Sequence, residues 1–310
     1  MNSKLFGADK IPFTKVDALQ DSAPEIIIWA IPVLFVFVLL EVLASYWQNK
    51  KYYDKVESVG ALGLGVGNII ISTWIKVVLF YAAVWIYNMV PWRMELNWWT
   101  LIPCYILFDL CSYWAHNISH RQRFWWATHV AHHSGEHYNL SVAFRLSWVQ
   151  YLKIVFLFPI PLMGFHPIIF FVTNQIAILF QFWVHTEYIR KLPPFFEYVF
   201  ATPSNHRVHH GSQKKYIDKN FGATFIFWDR IFGTYQKEEE QAVYGLTENI
   251  THKGNPFYIN FHEYASMMKD VYHAKTLREK IFYIFGNPAK IARVKARKRN
   301  SLFPPTDTKI

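Results

Sequence analysis

The chain has 310 residues, of which 52% are hydrophobic, 19% aromatic and 17% charged, and it carries a formal net charge of +10. An ordinary soluble domain has about 25% charged residues. So low a share, with 13 Trp and 18 Tyr, argues against a water-soluble enzyme and for a protein with rings at a bilayer interface. No base-reading motif accompanies the positive balance, so nucleic acid is not expected as a partner. Lys and Arg on cytoplasmic loops and near anionic lipid account for it.

In chain order, the first apolar run is Ile26 to Trp47, long enough to cross a hydrocarbon layer of about 30 Å. Lys50, Lys51 and Lys55 follow it and read as an inside loop. A second run ends at Val90. Its start is blurred by the glycine-rich stretch Gly60 to Asn68 and by Lys76. A third run covers Trp98 to Ala115. A fourth, Trp148 to Phe165, and a fifth, Pro167 to Val184, meet at the turn Gly164-Phe165-His166-Pro167. With the Lys50 loop inside, the third run returns inside at His116 and the fifth at His185. Beyond Lys191 the composition turns polar, as in a cytoplasmic cap, and a basic segment holds Lys290, Arg293, Lys295, Arg297, Lys298 and Arg299. The fold expected is an all-α integral membrane protein, with about four to five transmembrane helices and a cytoplasmic helical cap holding a His-rich dimetal site. Its parts would be N-terminal membrane helices (1–97), a domain with three histidine boxes (98–247) and a basic cytoplasmic C-terminal region (248–310). Cys104 and Cys111 share one apolar run. On a helix they stand roughly 10 Å apart along the axis, too far for a disulfide, and read as small buried hydrophobes.

The chemistry lies in the histidines, 14 in all. His116 and His120 form an i, i+4 pair that stacks on one helical face. His129, His132 and His133 form an H-x-x-H-H box, and His206, His209 and His210 form another. In such a triple i and i+3 share a face while i+4 lies slightly round it, so one box can serve two metals, one histidine each with one between. Imidazole suits iron, copper, zinc and nickel alike. His185, at the end of the fifth run, is a ninth candidate ligand, and His137 is a weaker one. His166, His252, His262 and His273 have no metal-binding spacing and read as structural. Asp109 precedes His116 on the same helical face. A carboxylate there is expected to accept a ligand's second ring proton, the alternative being a hydrogen bond between helices. Glu41 lies in an apolar run without a placement. Glu136, Tyr138, Asn139, Glu187, Asp218, Asn220 and Asp229 neighbour the boxes, and sequence alone does not separate their roles.

An H-x3–4-H box followed by two H-x-x-H-H boxes resembles the signature of the fatty acid hydroxylase or sterol desaturase superfamily of membrane di-iron enzymes. A narrower similarity, to the branch that cleaves the ether lipids called alkylglycerols, is carried by W-A-T-H-V-A-H-H-S-G-E-H-Y-N-L-S (126–141), T-P-S-N-H-R-V-H-H-G (202–211), Y-I-D-K-N-F-G (216–222) and I-F-W-D-R-I-F-G-T-Y (226–235). The resemblance implies two iron ions per chain, held by the eight box histidines and His185, with Glu136 as an active-site residue. It implies O₂-dependent hydroxylation of a lipid C–H bond. Next to an ether oxygen this leaves a hemiacetal, which falls apart to an aldehyde and an alcohol. Tetrahydrobiopterin or a separate reductase would supply electrons. The membrane would be the endoplasmic reticulum in a eukaryote or the inner membrane in a bacterium.

A sterol or fatty-acyl hydroxylase or desaturase with a separate electron-transfer partner is the nearest alternative. A metal transporter would place its ligands near the bilayer midplane, whereas these gather at one membrane edge. A zinc hydrolase uses the same ligand type but would not need O₂.

Overall fold

Two apolar stretches fold as their composition dictates. Helix α1, Ile26–Trp47, is built from Ile, Val, Leu and Phe around Pro32. Helix α2, Lys55–Met89, starts where the Asp54 carboxylate caps the Glu57 amide at 2.9 Å. In the computed structural model, which describes residues 6–302, these two are the helices long and apolar enough to cross a membrane by length and composition. The glycine-rich start of the second run is continuous helix. Its glycines let other backbone come close: a Cβ on Gly60 would collide with the Lys253 carbonyl and lie 2.8 Å from Ile259 Cδ1, and one on Gly67 would collide with the Trp148 indole.

The third run becomes α3, Leu101–Arg121, which continues past Ala115 and so carries His116 and His120 on its last turns. The fourth run is not one α-helix. It forms a 3-10 helix, Gln150–Leu157, and then a single turn, Pro159–Leu162. Pro159 and Pro161 each lack the N–H that would continue the ladder. Gly164, at φ 85°, makes the turn, and His166 caps α4, Pro167–Phe182, through the Ile168 amide at 3.3 Å. With 16 residues, α4 spans roughly 24 Å, less than a hydrocarbon layer of about 30 Å.

A core of Ala83, Cys104, Phe108, Ile160, Ile169 and Phe170 packs α2, α3 and α4 together. Cys104 and Cys111 are buried free thiols, as expected. The later part of the chain adds α5, Pro203–His210, and α6, Pro256–His273, with a lone bridge between Phe200 and Phe225 in place of any strand among the described residues. Arg123 docks α6 by reaching Glu263 (2.6 Å), Asp270 (2.7 Å) and Ser266 (3.0 Å). The basic segment lies on the helix Pro288–Leu302.

Close packing at Gly60 makes a test of the fold. Gly60→Ala forces α2 away from the 253–259 segment, at about 1–3 kcal/mol for an overpacked core. Its thermal unfolding in detergent should move to lower temperature, with helix content by circular dichroism unchanged.

Candidate metal centre

Four local structures present the histidines. The first pair rides the end of α3. The middle box sits on the short helix Val130–His133, with His129 at its N-cap. The last box fills α5, whose N-cap Thr202 accepts from the Asn205 amide and whose first residue is Pro203, a residue preset for that position. His185 lies just beyond α4.

These pieces bring all nine expected histidines together in two groups. His116, His120, His129, His133 and His209 form one, and His132, His185, His206 and His210 form the other. Within each group the ligand atoms lie within 4.8 Å of one another. Each H-x-x-H-H box is divided in the same way, its i and i+4 members entering one group and its i+3 member the other, so that i keeps company with i+4 rather than with the expected i+3. At 3.6 residues per turn, i and i+4 sit about 40° apart while i+3 lies about 60° to the other side of i. The groups adjoin, with the His133 and His210 rings stacked at 4.4 Å.

The ring nitrogens are oriented from behind. Nδ1 of His116 lies 2.8 Å from the Phe221 carbonyl, that of His209 3.0 Å from the Lys219 carbonyl and that of His185 2.8 Å from the Gln181 carbonyl. A carbonyl only accepts, so each Nδ1 carries the proton and each Nε2 turns a lone pair inward. Those Nε2 atoms meet others at short range: His116 to His129 at 2.8 Å, His209 to His133 at 3.1 Å, and His185 to His206 and His132 at 3.0 and 3.2 Å. Burial favours the neutral form of the imidazoles of the two H-x-x-H-H boxes and of His185 by pushing their pKa values below the ordinary range, to about 4 for His185. Neutral rings with converging lone pairs are the donor set of a soft or borderline cation, and these residues fit a pair of metal ions.

The expected carboxylates fall outside both groups. Asp109 is fully buried, but its oxygens accept from the amides of Thr224 (2.8 Å) and Phe225 (3.1 Å) and from the Trp228 indole (3.0 Å), not from an imidazole. Glu136 pairs with Lys253 at 2.5 Å. His137, the weaker candidate ligand, faces Glu57 at 3.3 Å. His166, His252, His262 and His273 also stand apart from both groups. Two features escaped sequence reasoning. Glu41 accepts from Tyr53 (2.5 Å), the Leu140 amide (2.7 Å) and Thr186, and so ties α1 to the residue after His185. Its signal was a carboxylate within an apolar run. The other is the 218–221 segment, where Asp218 lies 3.6 Å from His120 Nδ1 beside the two carbonyls already described. Backbone acceptors leave no trace in residue identity.

Asp109→Ala would leave two buried amides and an indole N–H without an acceptor, at about 1–3 kcal/mol for each group. A large fall in thermal stability is expected, and a smaller one for Asp109→Asn, which keeps one acceptor oxygen. Calorimetric scanning of the purified variants measures both.

Residues 101–234 match the model of the fatty acid hydroxylase family. The chain is 33% identical over 292 residues to human (Homo sapiens) alkylglycerol monooxygenase, an alignment covering 92% of this chain and 64% of that protein. It is 37% identical over 191 residues to alkylglycerol monooxygenase of Caenorhabditis elegans, covering 60% of this chain and 37% of the relative. Ornithine lipid hydroxylase OlsE of Rhizobium tropici is 26% identical over 139 residues, 42% of this chain and 40% of its own. The chain thus spans less than two thirds of the length of these curated relatives. No solved structure matches it. All nine clustered histidines lie within the stretch matched by the family model, and residues 101–234 of this chain are a fatty acid hydroxylase domain.

Proposed function

We propose that the chain is a membrane monooxygenase that uses O₂ and two iron ions to hydroxylate a lipid C–H bond, and that its substrate is an alkylglycerol, whose ether bond is cleaved as a result. The observation that carries this reading is the pair of neutral imidazole groups inside a fatty acid hydroxylase domain. The relatives named alkylglycerol monooxygenase support the substrate.

On this reading the nine histidines are the metal ligands, five for one ion and four for the other. Bound iron supplies the O₂-dependent exchange of a C–H hydrogen for hydroxyl, with electrons from a pterin or a separate reductase. The protein's own work is positional. The carbonyls of Phe221, Lys219 and Gln181 hold three rings with their lone pairs inward. Uncharged ligands add no negative charge of their own, so bound ions would keep their full positive field. Asp109 acts from outside the ligand shell by fixing residues 224–228. Glu136, three residues beyond His133 and paired with Lys253, is the proposed active-site glutamate. The substrate's alkyl chain enters laterally from the bilayer. The exposed apolar sides of α1 and α2 support membrane embedding, and α3, the 150–162 segment and α4 complete the proposed set of four to five spanning segments that leaves the centre on the cytoplasmic side. The organisation 1–97, 98–247 and 248–310 remains the proposed division, and the membrane is the endoplasmic reticulum or a bacterial inner membrane.

A second reading has one observation in its favour. The similarity to a lipid hydroxylase without an ether substrate in its name supports a fatty-acyl or sterol hydroxylase or desaturase fed by a separate reductase.

Purified protein incubated with alkylglycerol, tetrahydrobiopterin and O₂ should release a fatty aldehyde, and release should stop without O₂ or when His132 or His209 is changed to Ala. Hydroxylated acyl lipid without aldehyde would favour the second reading. Turnover without O₂ would defeat both.

A further inference from the structure

The two histidine groups are not supported alike. Every described contact from residues 218–221 to an imidazole goes to the five-histidine group. Asp218 faces His120 at 3.6 Å, the Lys219 carbonyl takes His209 at 3.0 Å and the Phe221 carbonyl takes His116 at 2.8 Å. The Phe221 ring packs against the same three imidazoles, at 5.7 Å from His116, 5.2 Å from His120 and 5.9 Å from His209. In the four-histidine group the corresponding support comes from α4, where the Gln181 carbonyl takes His185, and Nδ1 of His132 is buried without a partner.

Asn220 sits at the middle of this segment. It is buried and left-handed, at φ 55°, and the half-buried Asp218 is left-handed too, at φ 59°. Side chains rarely adopt that conformation, and Asn tolerates it better than most. It turns the carbonyls on either side of Asn220 toward the histidines. The Asn220 amide is fully engaged: Nδ2 donates to the carbonyls of Asn205 (2.9 Å) and Gln236 (2.8 Å), and Oδ1 accepts from the Gln236 amide at 2.8 Å. Asn205 belongs to α5, which carries His209 of the five-histidine group and also His206 and His210 of the other; of these three, His209 is the one that a carbonyl of the 218–221 segment reaches. On the far side, Asp229 holds the amides of Phe221 and Gly222, each at 2.7 Å. The turn is therefore clamped at both ends.

We infer that Asn220 is a positioning residue for the five-histidine group alone, so that disturbing it weakens one metal site and spares the other. The inference rests on the proposed two-metal reading. Groups behind metal ligands typically change affinity by about 10- to 100-fold when removed.

The test is a titration of full-length metal-free protein with ferrous iron, counting bound metal per chain. Wild-type protein should bind two ions. Asn220→Leu removes the clamp and opposes the left-handed turn, and should bind one ion with wild-type affinity and the other about 10- to 100-fold more weakly. Asn220→Gly keeps the turn but loses the amide clamp, and should show the same asymmetry to a smaller degree. It carries the test if the Leu variant does not fold. A folded Gly or Leu variant that keeps wild-type affinity at both sites, or that weakens both equally, overturns the inference. Wild-type protein that binds fewer than two ions would instead refute the two-metal reading on which it rests.

Discussion

Crowding of neutral imidazoles is the constraint to which the rest of this structure answers. Six Nε2 to Nε2 separations fall between 2.8 and 3.2 Å. Where a carbonyl behind the ring fixes the proton on Nδ1, as at His116, His185 and His209, the inward nitrogen can only accept, and its lone pair faces another imidazole at close range. Burial denies them charge and denies them water. A cation among them would take several of these lone pairs at once, so a metal-binding centre would also be a folding element. Four chain segments, distant in sequence, are brought together here by carbonyls and packed rings.

The histidines were legible because their chemistry is local. An i, i+4 pair and two H-x-x-H-H boxes state in one dimension which residues could be ligands, whereas the pairing of i with i+4 in each box, rather than with i+3, became plain only in three dimensions. His185 has no box. It could be named only from its place at the end of an apolar run. Buried Cys104 and Cys111 were likewise readable from their setting.

What was not legible depended on backbone and on distant partners. Asp109 lies on the face expected, yet the amides of Thr224 and Phe225, far along the chain, take its oxygens. Glu136 follows a histidine box, yet Lys253 reaches it first. The fourth apolar run has the composition of a span, but two prolines and a 3-10 segment break its helix. Conversely, the glycines of α2 suggested an interruption and proved to be contact points, because their lack of a Cβ admits Lys253 and Trp148. In each case the residue type was informative, and its partner was supplied by tertiary structure.

The central claim, that this chain gathers two all-imidazole metal sites, is tested most directly by metal-edge X-ray absorption on the iron-loaded protein. The account predicts a nitrogen shell with strong imidazole multiple scattering, an average of four to five imidazoles per iron, and no sulfur. A shell dominated by carboxylate oxygen, or one with an average of two imidazoles or fewer, would contradict it.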